Sequence, residues 1–120
     1  MTQMAKGLSD DDLRSLADAI EKLPPPLAPQ KPDTVRFNLG KSIVERNHCG
    51  NCHGSDFSGG NNVPRIANQR EDYLLKALRD YKSGKRVGYG NAVMPETVSG
   101  LDDKELADAA HFLAHLPARR

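Results

Sequence analysis

Five residues constrain this chain more than any others. Cys49-Gly50-Asn51-Cys52-His53 sets the two cysteines of the sequence three positions apart and follows them at once with an imidazole. The spacing C-x-x-C-H is that of a c-type haem attachment site. Two thiols so placed can each add to one vinyl group of a porphyrin, and the adjacent imidazole is then held under the iron. Gly50 and Asn51 are residue types that tolerate the unusual backbone of a tight loop over the ring. Three other readings compete. A thioredoxin-like dithiol wants the motif between a strand and a helix, and no stretch here alternates as a strand does. A structural zinc site would need a second pair of ligands. A plain disulfide stays open, and it leaves His53 without a purpose.

Composition favours a group from outside the sequence. The 120 residues include three Phe, three Tyr and no Trp. Rings carry much of the buried area in a small core, so the core is either thin or completed by something else, such as a haem. A net charge of +1 argues against a general nucleic-acid binder. No apolar run approaches the roughly 18 residues of a membrane span. The first 23 residues are polar and periodic, unlike a signal peptide.

Proline divides the chain. Residues 24–33 read PPPLAPQKPD, a semi-rigid extended linker between a short piece (1–23) and a main body (34–120). The short piece predicts one helix. Ser9 caps it, Asp12 completes a capping box, and Leu13, Leu16, Ala17, Ile20 and Leu23 form its apolar stripe. Three more helices are expected in the main body, over roughly Val35–His48, Arg70–Ser83 and Asp102–Leu116. Asp102 and Glu105 give the last a second capping box, and Gly84 is a C-cap for the middle one. Two long connections, Gly54–Asn68 and Gly84–Gly100, carry no element of their own, and loops of that kind are usually functional. The fold class is all-α.

The chain also repeats itself. Shifted by 93 positions, residues 1–24 meet 94–117 with 8 identities, among them Met1/Met94, Gly7/Gly100, Leu13/Leu106, Ala17/Ala110 and Pro24/Pro117. Either two capped amphipathic helices simply look alike, or residues 1–23 are the tail of a second copy of the main domain.

A haem iron that carries electrons commonly takes a Met sulfur as its sixth ligand. Met94 is the candidate, in the second long connection, with no helical stripe to belong to. His48 precedes the motif and should face away. His111 and His115, four apart on the last helix, are expected as solvated side chains beside Lys104 and Asp108 rather than as a metal pair.

The main body resembles the class I cytochromes c, and more narrowly one domain of the two-haem bacterial cytochromes c. The resemblance covers residues 34–120 and rests on a helix leading into C-x-x-C-H, on Val63-Pro64-Arg65-Ile66-Ala67-Asn68-Gln69, on Tyr73–Arg86, and on Met94 before Leu101–Leu106. It implies helices wrapped around one covalent haem c, bound by Cys49 and Cys52, with His53 and Met94 on the iron. It implies that the Pro64 carbonyl accepts the His53 Nδ1 hydrogen, and that Gly40 and Phe112 sit where the first and last helices cross. It also makes residues 1–23 the final-helix segment of a preceding haem domain, with a helix that must dock on the main body, pair with another molecule or fray; docking, or pairing as in a dimer, is expected.

The implied function is one-electron transfer by a His/Met-ligated haem, as a periplasmic carrier or carrier domain for redox protein partners. The alternative is an electron-relay subunit of a larger dehydrogenase, oxidase or peroxidase. No catalytic set is visible in the chain, so it is not read as an enzyme itself. Lys76, Arg79, Lys82, Lys85 and Arg86 form a basic run that would either steer partners or simply be solvated.

Overall fold

The computed structural model describes residues 1–24, 31–87 and 93–117. The centre of the proline-rich linker and part of the second long connection lie outside these. The described residues form seven helices: α1 (Thr2–Ala5), α2 (Asp10–Glu21), α3 (Thr34–Arg46), α4 (Gly50–His53), α5 (Glu71–Lys82), α6 (Val93–Val98) and α7 (Asp103–Ala114). Among them no strand occurs, only an isolated bridge between Gly60 and Val63.

Local chemistry sets the helix starts. Ser9 and Asp102 head full capping boxes with Asp12 and Glu105. The Asp33 carboxylate accepts the Arg36 N–H at the start of α3. Gly84 follows α5 at φ 75°, a left-handed conformation that glycine adopts without a steric penalty.

The core lies where α3 crosses α7. Ile43 and Val44 of α3 meet Leu106, Ala109, Ala110, Phe112 and Leu113 of α7, all buried. Gly40 makes the crossing close. A Cβ built there would stand 2.7 Å from both the Asp108 carbonyl carbon and the Phe112 Cβ. Phe37 meets Phe112 edge to face at 4.9 Å, and Phe57 meets it at 6.2 Å. Gly40 and Phe112 therefore stand at the crossing, as the resemblance implies.

Two features differ from the sequence expectation. Residues 93–98 are helical rather than loop. Pro95 falls in the first turn of α6, where its missing N–H costs no helix bond. The second is α2, which has no buried residue: Leu13 is 43 % exposed, Leu16 48 % and Ile20 64 %. The main body does not cover the stripe in this structure, which leaves pairing with another molecule as the expected alternative.

Candidate haem site

The motif is a turn of helix. Cys49 caps the start of α4 with a right-handed backbone, Cys52 lies within it, and the His53 N–H donates to the Cys49 carbonyl at 3.0 Å. Residues three apart on a helix share a face, so this turn presents both thiols together. The unusual backbone lies outside the motif, not at Gly50 and Asn51 as expected. His48 enters the turn at φ 54° and Gly54 leaves it at φ 87°. Both thiols are free; Cys49 is half-buried and Cys52 exposed. Burial pushes the Cys49 thiol up, and the neighbouring Cys52 adds to this.

The His53 ring is buried, and its Nδ1 lies 2.8 Å from the Pro64 carbonyl oxygen. A carbonyl only accepts, so Nδ1 carries the hydrogen and donates. The lone pair of the neutral ring is then on Nε2, the state an iron ligand needs. A thiol pair, a buried imidazole and a fixed donor nitrogen in one turn are the donor set of a covalently held haem.

The first long connection is built to hold Pro64 there. The Gly59 N–H donates to the His53 carbonyl at 2.9 Å, and the Ile66 and Ala67 N–H groups both donate to the Phe57 carbonyl. Asn68, at φ 56°, donates its N–H to the Leu113 carbonyl on α7. At Gly59, φ is 76° and a Cβ would lie 2.6 Å from the Val63 oxygen and the Arg65 nitrogen. This glycine lets the Pro64 segment pass close to the motif, and sequence reasoning missed it; the Gly59-Gly60 pair was its one local signal. Met94 lies in α6, half-buried against the same apolar cluster as Cys49 and Phe57. The structure thus brings Cys49, Cys52, His53 and Pro64 together and places Met94 on that cluster through another element.

The histidines of α7 depart from expectation. His111 is 5 % exposed, not solvated. The Asp33 N–H donates to its Nε2 at 3.0 Å, and its Nδ1 lies 2.9 Å from Glu71 Oε2. His115 Nδ1 bonds the His111 carbonyl at 2.8 Å. Asp108 is also buried, held by Arg36 at 3.2 Å and Lys104 at 2.7 Å. The basic run is largely engaged within the domain. Lys76 pairs with Asp80, and Arg79 grips Asp103 at 2.6 and 2.7 Å. Lys82 reaches the Leu101 carbonyl, and Arg86 lies 4.9 Å above the Tyr81 ring.

A helical domain in which α3 crosses α7 and leads into a C-x-x-C-H turn has the make-up of a haem-binding domain. The family pattern described as Cytochrome c matches residues 37–117, and the chain belongs to that family. It is 43% identical to cytochrome c4 of Pseudomonas aeruginosa over 67 residues, 55% of this chain and 32% of that protein. It is 27% identical to the thiosulfate dehydrogenase electron acceptor of Stutzerimonas stutzeri over 125 residues, covering 97% of this chain and 58% of that protein. The cytochrome c4 structure from Acidithiobacillus ferrooxidans superposes with a TM-score of 0.73 at 27% identity, over 97% of this chain and 70% of that one. The chain therefore spans about a third of one curated relative and somewhat over half of the other. Membership of this family supports electron transfer by a c-type haem, and covalent haem c is its cofactor. Among the described residues no helix is long and apolar enough to cross a membrane.

Proposed function

We propose that this chain holds one haem c, with thioethers at Cys49 and Cys52, and works as a one-electron carrier or carrier domain. His53 Nε2 and the Met94 sulfur are the iron ligands. The observation that carries this reading is the bond from His53 Nδ1 to the Pro64 carbonyl, 2.8 Å long, which leaves Nε2 as the donor nitrogen. Haem c supplies reversible one-electron exchange at its iron. The chain's own residues orient, shield and tune. Pro64 fixes the tautomer and basicity of His53. Phe57, Ile66 and Leu116, packed on the buried cluster, keep the surroundings apolar. A thioether ligand such as Met94 raises the potential of such a centre.

Residues 1–23 are read as the final-helix segment of a second haem-domain repeat. The 8 identities at a shift of 93 positions and the uncovered stripe of α2 support this. Thioether formation needs reduced thiols and a site of haem attachment, and the compartment that fits is the periplasm. A second reading, relay subunit of a larger redox enzyme, draws on the likeness to an electron acceptor of thiosulfate dehydrogenase; stable copurification with a catalytic chain would favour it.

Intact mass tests the attachment. One haem above the 13.1 kDa chain is expected, and Cys52→Ala should leave a single thioether. Met94→Ala should open the sixth position and admit carbon monoxide. A bare chain mass after expression with the haem-attachment machinery would refute the cofactor assignment. Unchanged ligation in Met94→Ala would refute the sixth ligand.

A further inference from the structure

His111 lies outside the haem motif, yet it is a buried titratable group with both ring nitrogens in use. The donor on its Nε2 side is the backbone N–H of Asp33, at 3.0 Å. An amide N–H cannot accept, so Nε2 must carry the lone pair and Nδ1 the hydrogen. Nδ1 then donates to Glu71 Oε2 at 2.9 Å. The neutral imidazole thus joins two places. One is the end of the proline-rich segment, where the chain enters α3. The other is the start of α5.

The surrounding charges favour keeping Glu71 ionised. Burial pushes its carboxyl up, but the bonds from His111 and Arg36 outweigh that and hold it below the usual carboxylate range. Arg36 on α3 reaches Glu71 at 2.9 Å and Asp108 at 3.2 Å. From α7 itself, Lys104 balances Asp108, and the His115 ring lies tilted against that of His111, 4.3 Å between centroids. The Asp33 carboxylate is turned to the Arg36 N–H.

The two bonds of His111 respond oppositely to a proton. On protonation Nε2 becomes a donor that faces the Asp33 N–H, and two donors cannot bond. The contact from Nδ1 to Glu71 becomes an ion pair and persists. We propose that His111 is a proton-operated latch: neutral, it fastens the Asp33 amide to α7; charged, it releases that amide and keeps α5 clamped to α7. The hold of the Asp33 amide on α7 then depends on the charge of His111. The same geometry disfavours a metal ion between Glu71, His111 and His115, although their ligand atoms lie within 4.8 Å of one another. Metal at Nδ1 would force the hydrogen onto Nε2, against the Asp33 N–H.

The test is made on the full-length holoprotein between about pH 5 and 8. Nitrogen NMR of the His111 ring gives its tautomer and titration midpoint, and hydrogen exchange gives the protection factor of the Asp33 amide. The expected results are an Nδ1–H tautomer when neutral and a roughly fivefold to tenfold loss of Asp33 protection centred on the His111 midpoint. Amides within α5 and α7 should hold theirs. His111→Gln, which can accept and donate but does not titrate, should flatten the Asp33 profile. Asp33 protection that stays level through the His111 titration would overturn the latch, as would an Nε2–H tautomer or an Asp33 transition that survives in His111→Gln. Should that variant fail to fold, the two wild-type measurements decide alone.

Discussion

Replacing Gly40 by alanine sets two opposed effects against each other at one position. On an exposed helix the change would stabilise by about 0.5–1 kcal/mol, because alanine is the better helix former. Here the added Cβ would stand 2.7 Å from Phe112 Cβ and from the Asp108 carbonyl carbon, and nearer still to that carbonyl's oxygen. Ordinary contact begins near 3.4 Å, so α3 and α7 must part by at least about 0.7 Å. Two of the close atoms are backbone, which cannot swing aside as a flexible side chain would. Overpacking of this kind costs about 1–3 kcal/mol. Loosening the edge-to-face pair of Phe37 and Phe112 adds roughly 0.5–1.5 kcal/mol. The steric side wins, and the net expectation is a loss of about 1–3 kcal/mol. In a domain this size that lowers the melting temperature by roughly 4–8 °C per kcal/mol. Thermal and urea unfolding of the holoprotein read it, with Gly100→Ala as control, since nothing lies within 4 Å of a Cβ there. A Gly40→Ala protein that melts at or above the parent temperature would refute the close crossing.

Gly59→Ala should destabilise by more than about 1 kcal/mol, since φ is 76° and the Val63 oxygen lies 2.6 Å from the new methyl. It should also shift the reduction potential by disturbing the Pro64 carbonyl; an unchanged potential would count against the role given to that carbonyl. At Asp108, burial raises the carboxyl, but Lys104 and Arg36 outweigh it and hold it below the usual 3.8. Its stabilisation is therefore complete above that value and is lost as pH falls through the lower folded one. Asp108→Asn should cost about 1–3 kcal/mol at neutral pH and flatten the acid limb of the stability curve; an unaltered acid limb would refute the assignment. Leu16→Ser should move the melting of the haem domain by no more than about 0.5 kcal/mol, because α2 buries nothing. Without haem the main domain, poor in aromatic residues, should lack a cooperative melt by calorimetry.

Much of this was legible wherever the signal is local. The capping boxes of Ser9/Asp12 and Asp102/Glu105 lie within one turn of chain, and both form. The thiol spacing is read directly from the motif. Signals that need a distant partner were not legible. His111 looked solvated because it shares a helix face with charged residues. Its hydrogen-bond partners are Asp33, 78 positions away, and Glu71, 40 positions away. In α6, neighbouring glycine and asparagine masked a short helix whose buried Val98 ties it to the core. The strained backbone around the motif fell on His48 and Gly54 because the motif itself completes a helical turn.

The engagement of the basic run bears on how this protein meets others. Asp80 and Asp103 offset the charges of Lys76 and Arg79, and Lys82 and Arg86 are drawn onto a carbonyl and a ring. With those charges offset, the run itself contributes little net field to gather an oppositely charged protein from a distance. Association rates should then depend only weakly on ionic strength, and discrimination between partners rests on how well two surfaces fit once they touch.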